Sequence, residues 1–123
     1  MVNRSQQFGI DSEKDAEVLL KHAGYRIVKR NYRNAIGEID IIAREGLTLV
    51  FVEVKARRSP RFGAAKTAVT HQKRARLTRT ALLYLKETGQ FGISARFDVV
   101  TVDGIGPNRK MEIIRNAFDI TPG

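Results

Sequence analysis

Asp40, Glu53 and Lys55 interrupt an otherwise apolar pair of segments within GEIDIIAREGLTLVFVEVK, residues 37–55, where hydrophobic side chains are expected. Two carboxylates and an ammonium at this spacing suit metal-assisted hydrolysis of a phosphodiester. Mg²⁺ takes oxygen ligands in near-octahedral geometry, usually one or two carboxylates with water and phosphate oxygens filling the rest. Asp40 and Glu53 could supply those ligands, with Mg²⁺ or Mn²⁺ as the cofactor. Lys55 would orient the attacking water and offset charge that develops on phosphorus. The plain alternative is a strand end emerging into solvent, where Glu and Lys two apart form a surface pair of little consequence.

The elements that must position these groups follow from side-chain period. Residues 47–54 are rich in β-branched and aromatic types, residues 36–43 form a second such run, and Glu45-Gly46 is the turn signal between them. A β-hairpin results. In its second strand Leu47, Leu49, Phe51, Glu53 and Lys55 share one face, while Thr48, Val50, Val52 and Val54 share the other. Closure at Glu45-Gly46 would set Asp40 opposite Phe51 and Glu38 opposite Glu53, with Asp40 diagonal to Glu53. Glu38 and Glu53 would then repel, and a nearby cation would relieve them.

The pattern is wider than the hairpin. Asp40 followed by Glu53-Val54-Lys55 resembles the D...ExK signature of the PD-(D/E)XK nuclease superfamily. The run NYRNAIGEIDIIA...LVFVEVKAR is similar to the YraN-type family of uncharacterised bacterial proteins, related to archaeal Holliday junction resolvases. The resemblance extends to Gly24-Tyr25, Arg30-Asn31-Tyr32-Arg33, Gly63, Lys73, the run from Arg96 to Val100 and the run from Asn116 to Phe118, so it covers nearly the whole chain. Ile39 stands where the superfamily's name has proline, and Ser12 where the family usually shows glycine. The resemblance implies an α/β fold with a restriction-endonuclease-like core, a central mixed β-sheet of about five strands flanked by helices. It also implies a metal-dependent endonuclease acting on DNA, with branched or damaged DNA as the substrate.

Two helices add candidates. In a first helix from about residue 11 or a little earlier to Ala23, the residues Ala16, Leu20 and Ala23 form a buried stripe, and Glu13 falls on it one turn earlier. Glutamate in a first turn is also favoured by the macrodipole, and Ser12 with Asp15 has the look of a cap. In related nucleases a glutamate at this place joins the metal site, which makes Glu13 a metal-ligand candidate beside Asp40 and Glu53. In a second helix over about 68–88, Leu77, Ala81, Tyr84 and Leu85 line one face and Lys73 extends that line. Lys73 resembles the superfamily's helix lysine, a second cation at the site; the alternative is a lysine snorkelling past the core. Further strands are expected near 25–33, 95–103 and 110–115.

Between the hairpin and the second helix lies a basic loop. Arg57, Arg58, Arg61 and Lys66 follow the ExK strand directly and are the candidates for clamping phosphates beside the site. Phe62 could stack on a base, although an aromatic beside Pro and Gly more often anchors its own loop. Arg76 and Arg79, on another helix face, are read as solvated or bound to phosphate. His22 and His71 have no partner at ligand spacing, and Asp98 reads as the structural partner of an arginine.

Composition agrees with a polyanionic partner. A chain of 123 residues with 42% hydrophobic content suits one domain over residues 1–123 that folds without staples. No cysteine and two isolated histidines argue against disulfides, thiolate chemistry and zinc. The opening MVNRSQQFG lacks an apolar h-region and no run reaches membrane-spanning length, so a cytoplasmic protein without a membrane partner is expected. A formal charge of +9 favours nucleic acid, with DNA the first choice. A homodimer is the assembly allowed for. Two function classes stand: the metal-dependent endonuclease, and a non-catalytic nucleic-acid-binding protein that retains the fold.

Overall fold

A polar opening segment starts the first helix earlier than its apolar stripe suggests. The computed structural model describes residues 3–58 and 69–118. Helix α1 runs from Arg4 to His22, begun by a capping box in which the Asn3 side chain accepts from the Gln6 backbone and the Gln6 side chain answers. Ser12 is therefore not a cap. It is buried in mid-helix, in a stripe of Ser12, Ala16 and Leu20, whereas Ala23 lies exposed at the C-cap. The stripe ends at Leu20 because the chain turns away at Gly24, whose φ of 96° suits glycine.

Strands β1 (Arg26–Arg33), β2 (Glu38–Glu45) and β3 (Thr48–Arg57) follow, then α2 (His71–Glu87), β4 (Ala95–Asp103) and β5 (Lys110–Phe118). They form one five-stranded sheet in the order β1-β2-β3-β4-β5, antiparallel except for β3 and β4. The parallel pair requires a crossover, and the segment that carries α2 supplies it. The expected mixed α/β architecture is what is observed.

Alternation along β3 sorts the core into two layers. Leu49 and Phe51 pack with Leu77, Ala81, Tyr84 and Leu85 of α2, while Val50 and Val52 pack with Ala16 and Leu20 of α1. Burying such side chains contributes about 1.5–3 kcal/mol each, which is why helices cover both faces. No helix among the described residues is long and apolar enough to cross a membrane.

The hairpin register differs from tight closure at Glu45-Gly46. Glu45 pairs with Thr48, leaving Gly46 and Leu47 as a two-residue turn, with positive φ at Gly46 alone. That is the pattern of a type II′ turn, in which glycine takes the first central position. Ile42 consequently faces Phe51, the place tight closure would have given to Asp40, and Glu38 does not face Glu53. Glu38 is instead exposed and ion-paired with Arg33 at 2.9 Å.

Candidate active site

The regular pairing of β2 with β3 ends at Ile41 and Val52. Beyond it a side chain takes over a ladder bond, as Asp40 Oδ2 accepts from the Val54 backbone N–H at 2.8 Å. The strands part here, and the opening is where the polar residues of the motif collect. Burial, then the charge of Glu53, pushes the Asp40 carboxyl up to about 7 against the Val54 bond, and Glu13 adds to the repulsion.

Glu53 is buried, only 6% exposed, on the α2 face of β3. Its Oε1 lies 2.7 Å from Lys73 Nζ and 3.9 Å from Lys55 Nζ. Lys73 reaches it because Thr70 caps α2, accepting from the Lys73 backbone N–H at 3.2 Å and setting the first turn against the end of β3. Burial works against the Lys73 charge, but the bonds to Glu53 and Lys55 and the charges of Glu53 and Asp40 together outweigh it and hold the ammonium above its ordinary range. Lys55 moves the other way: burial, then the adjacent Lys73, pushes it down. Two lysines meeting over one carboxylate thus acquire opposite tendencies.

Glu13 approaches from the α1 side. It is half-buried, and its carboxyl is raised by burial first and then by the charges of Glu53 and Glu38. Asp40 lines two clefts, one shared with Glu13 and Arg30, the other with Glu53 and Lys73. All five residues singled out in the sequence, Asp40, Glu53, Lys55, Glu13 and Lys73, therefore converge on one region.

The donor set suits a hard divalent cation in a particular way. Among the described residues no three Asp, Glu, His or Cys side chains gather so as to hold a metal ion, so Glu13 does not join Asp40 and Glu53 in a set of three ligands. Mg²⁺ needs only one or two carboxylates, and Asp40 with Glu53 supplies two whose mutual repulsion a cation would relieve. At present the Lys73 ammonium provides that positive charge at Glu53.

The candidate phosphate clamps divide. Arg57 is turned to Asp103, with 3.2 Å between its Nε and Oδ1, and Arg58 lies over the Phe8 ring at 5.4 Å. Arg61, Lys66 and Phe62 lie outside the described residues. His22 and His71 are exposed. Asp98 is fully buried and bonded to Arg96 at 2.9 Å, the structural pairing expected of it. Sequence reasoning passed over the turn 34–37 as part of the site, and the structure brings it with Arg33 and Arg76 to the Asp40 cleft. Its signal was local: Asn34 and Gly37 punctuate two strands.

Comparison with known sequences bears on which lineage built this arrangement. The model of the uncharacterised protein family UPF0102 matches residues 12–102, a span that holds all five converging residues. The chain belongs to that family. A UPF0102 protein of Desulfosudis oleivorans is 54% identical over 119 residues, covering 97% of this chain and 95% of that protein. UPF0102 proteins of Syntrophus aciditrophicus and Geobacter sulfurreducens are 45% and 42% identical, covering 90% and 91% of this chain. UPF0102 membership is consistent with the YraN-type resemblance of the motifs.

Proposed function

We propose that this protein is a metal-dependent endonuclease that hydrolyses phosphodiester bonds in DNA, with branched or damaged DNA as its substrate. The observation that carries the reading is the meeting of Asp40 and Glu53 with Lys55 and Lys73 where β2 and β3 part. Mg²⁺ or Mn²⁺, when bound by Asp40 and Glu53 with Glu13 nearby, supplies the charge that polarises a phosphate and acidifies a water. The chain's own groups do the rest. Lys55, beside Glu53, orients a water next to the phosphate and offsets charge that develops on it. Lys73, held charged, balances Glu53 and the charge that develops on the phosphate oxygens. The substrate preference rests on the resemblance to resolvases, and the formal charge of +9 supports a polyanionic partner.

One observation favours the second reading, a nucleic-acid-binding protein without turnover. Lys73 already satisfies Glu53 at 2.7 Å, so Glu53 has a partner without any metal.

Metal titration tests the proposal. Mn²⁺ or Mg²⁺ should raise the melting temperature of the protein, by an amount equivalent to about 2.7 kcal/mol at a hundredfold excess over Kd. Asp40→Asn should abolish that gain. The amide oxygen can still accept from Val54, and a charge disfavoured by burial and by Glu53 is removed, so the metal-free variant should melt no lower than the parent. Absence of stabilisation at saturating metal, with or without DNA, would leave the binding protein as the better reading.

A further inference from the structure

The space in front of Asp40 and Glu53 is a cleft of about 570 Å³ between the turn 34–37 and the first half of α2. Arg33, Ile36, Gln72 and Arg76 line it together with Asp40, Glu53 and Glu38, the last ion-paired with Arg33 at 2.9 Å. One wall is built to stay in place. Asn34 Nδ2 donates to the Thr80 carbonyl at 3.1 Å and to the Tyr32 hydroxyl at 3.0 Å, while its Oδ1 accepts from the backbone N–H groups of Ile36 and Gly37. The turn also lies close on α2, since a Cβ at Gly37 would come 2.9 Å from Thr80 Oγ1 and 3.3 Å from the Arg76 stem. Only glycine allows that approach. The result is a fixed wall that presents Arg33 and Ile36, facing a helix that presents Gln72 and Arg76. Arg33, Ile36 and Arg76 are all exposed.

We propose that this cleft is a single-strand subsite: it takes one unpaired DNA strand next to the scissile phosphate, with Arg33 and Arg76 on the flanking phosphates and Ile36 against a sugar or base. The substrate class follows from size and chemistry. The volume matches sites that enclose one small-molecule-sized unit, as a single nucleotide is. A volume of about 570 Å³ is that of one or two nucleotides, not of a stretch of duplex with both its backbones. Two guanidinium groups can make bidentate contacts to phosphate, Arg33 by exchanging its exposed pair with Glu38. Gln72 offers an amide for a base edge, and an apolar side chain such as Ile36 can lie against an unstacked base. Paired DNA would be held outside the cleft, so a substrate must present a frayed, flapped or gapped strand to reach Asp40 and Glu53. This inference rests on the nuclease reading for the role of those two carboxylates, but the binding it describes stands apart from cleavage.

The test measures anisotropy of a labelled oligothymidine and of a blunt duplex of the same length, in EDTA so that no chain is cut. Arg33→Gln/Arg76→Gln keeps both aliphatic stems and removes both charges. It should weaken oligothymidine binding about tenfold and flatten the salt dependence by about 1.4 in log-log slope, 0.7 for each phosphate contact, with duplex affinity within about twofold of the parent. Ile36→Glu, which sets a negative charge on the turn at an exposed position, should weaken the single strand in the same selective way. Equal losses on both ligands, no loss on either, or no oligothymidine binding by the parent would overturn the proposal. A selective loss with no cleavage of any DNA in Mg²⁺ or Mn²⁺ would support the cleft and sink the nuclease reading alone. Equal cutting of flapped and blunt DNA, unchanged in the double variant, would sink the cleft alone.

Discussion

Lys55→Met should keep the metal response and most of the DNA affinity while cleavage falls by ~10²- to 10³-fold, the usual cost of removing a group aimed at developing charge. Methionine preserves much of the side-chain length at a partly buried position, so strand β3 should hold. What is lost is the ammonium 3.9 Å from Glu53, the charge placed to orient the attacking water. Lys73 cannot substitute for it, because its charge is committed to the bond with Glu53. A gel assay on flapped and four-way DNA with Mg²⁺ or Mn²⁺, run beside Glu53→Ala as the inactive reference, reads the effect directly. Were Lys55→Met to cut as fast as the parent, the activity would belong elsewhere, and Asp40, Glu53 and Lys55 would be a structural cluster. If neither parent nor variant cuts any substrate, the protein is a binder.

The second large effect concerns stability. Asp98→Ala should destabilise the fold by about 3–5 kcal/mol, the range for breaking a buried charge network from one side. Asp98 is fully buried on β4 and accepts from the Tyr25 hydroxyl at 2.5 Å, from Arg96 Nε at 2.9 Å and from the Asn116 backbone N–H at 2.9 Å. Arg96 continues the network to Glu45, which Arg115 also pairs at 2.9 Å. Removing the carboxylate orphans three donors at once, including the amide that holds Asn116 at its φ of 51°. Burial and Asp98 together push the Tyr25 hydroxyl up to about 12, so it remains a donor at any ordinary pH. Urea unfolding should show the loss as a lower midpoint, and Tyr25→Phe, which removes one donor and leaves the carboxylate, should cost only about 0.5–3 kcal/mol. A loss below about 1 kcal/mol for Asp98→Ala would mean that Arg96 and Asn116 find other partners and that the network does not hold this end of the sheet.

The division between sequence and tertiary structure runs along the range of the interactions involved. Period along the chain is local, so the alternating faces of β3 and the inward line from Lys73 through Leu77 to Leu85 were legible from neighbours two to four residues apart, whereas Glu13, read as part of the buried stripe of α1, lies beside it, Ser12 holding that place. The identity of Asp40, Glu53 and Lys55 as the candidate groups came instead from the resemblance to the D...ExK pattern, since Asp40 and Glu53 lie too far apart for a local period. Register was not legible. It depended on whether Gly46 closes the turn or opens it, and Gly46 in the first central position moves every pair of the hairpin. The start of α1 escaped because its first turns carry no apolar stripe, only the Asn3 and Gln6 cap. Three features needed the assembled fold. Asp40 reaches the Val54 amide only where two strands part, Lys73 meets Glu53 only when α2 docks at the end of β3, and the turn 34–37 becomes a cleft wall only through Asn34 and Gly37 against Thr80. Each of these joins residues that the chain separates by 14 to 46 positions, beyond the reach of any local pattern, and so the sequence named the chemical groups while packing decided which of them touch.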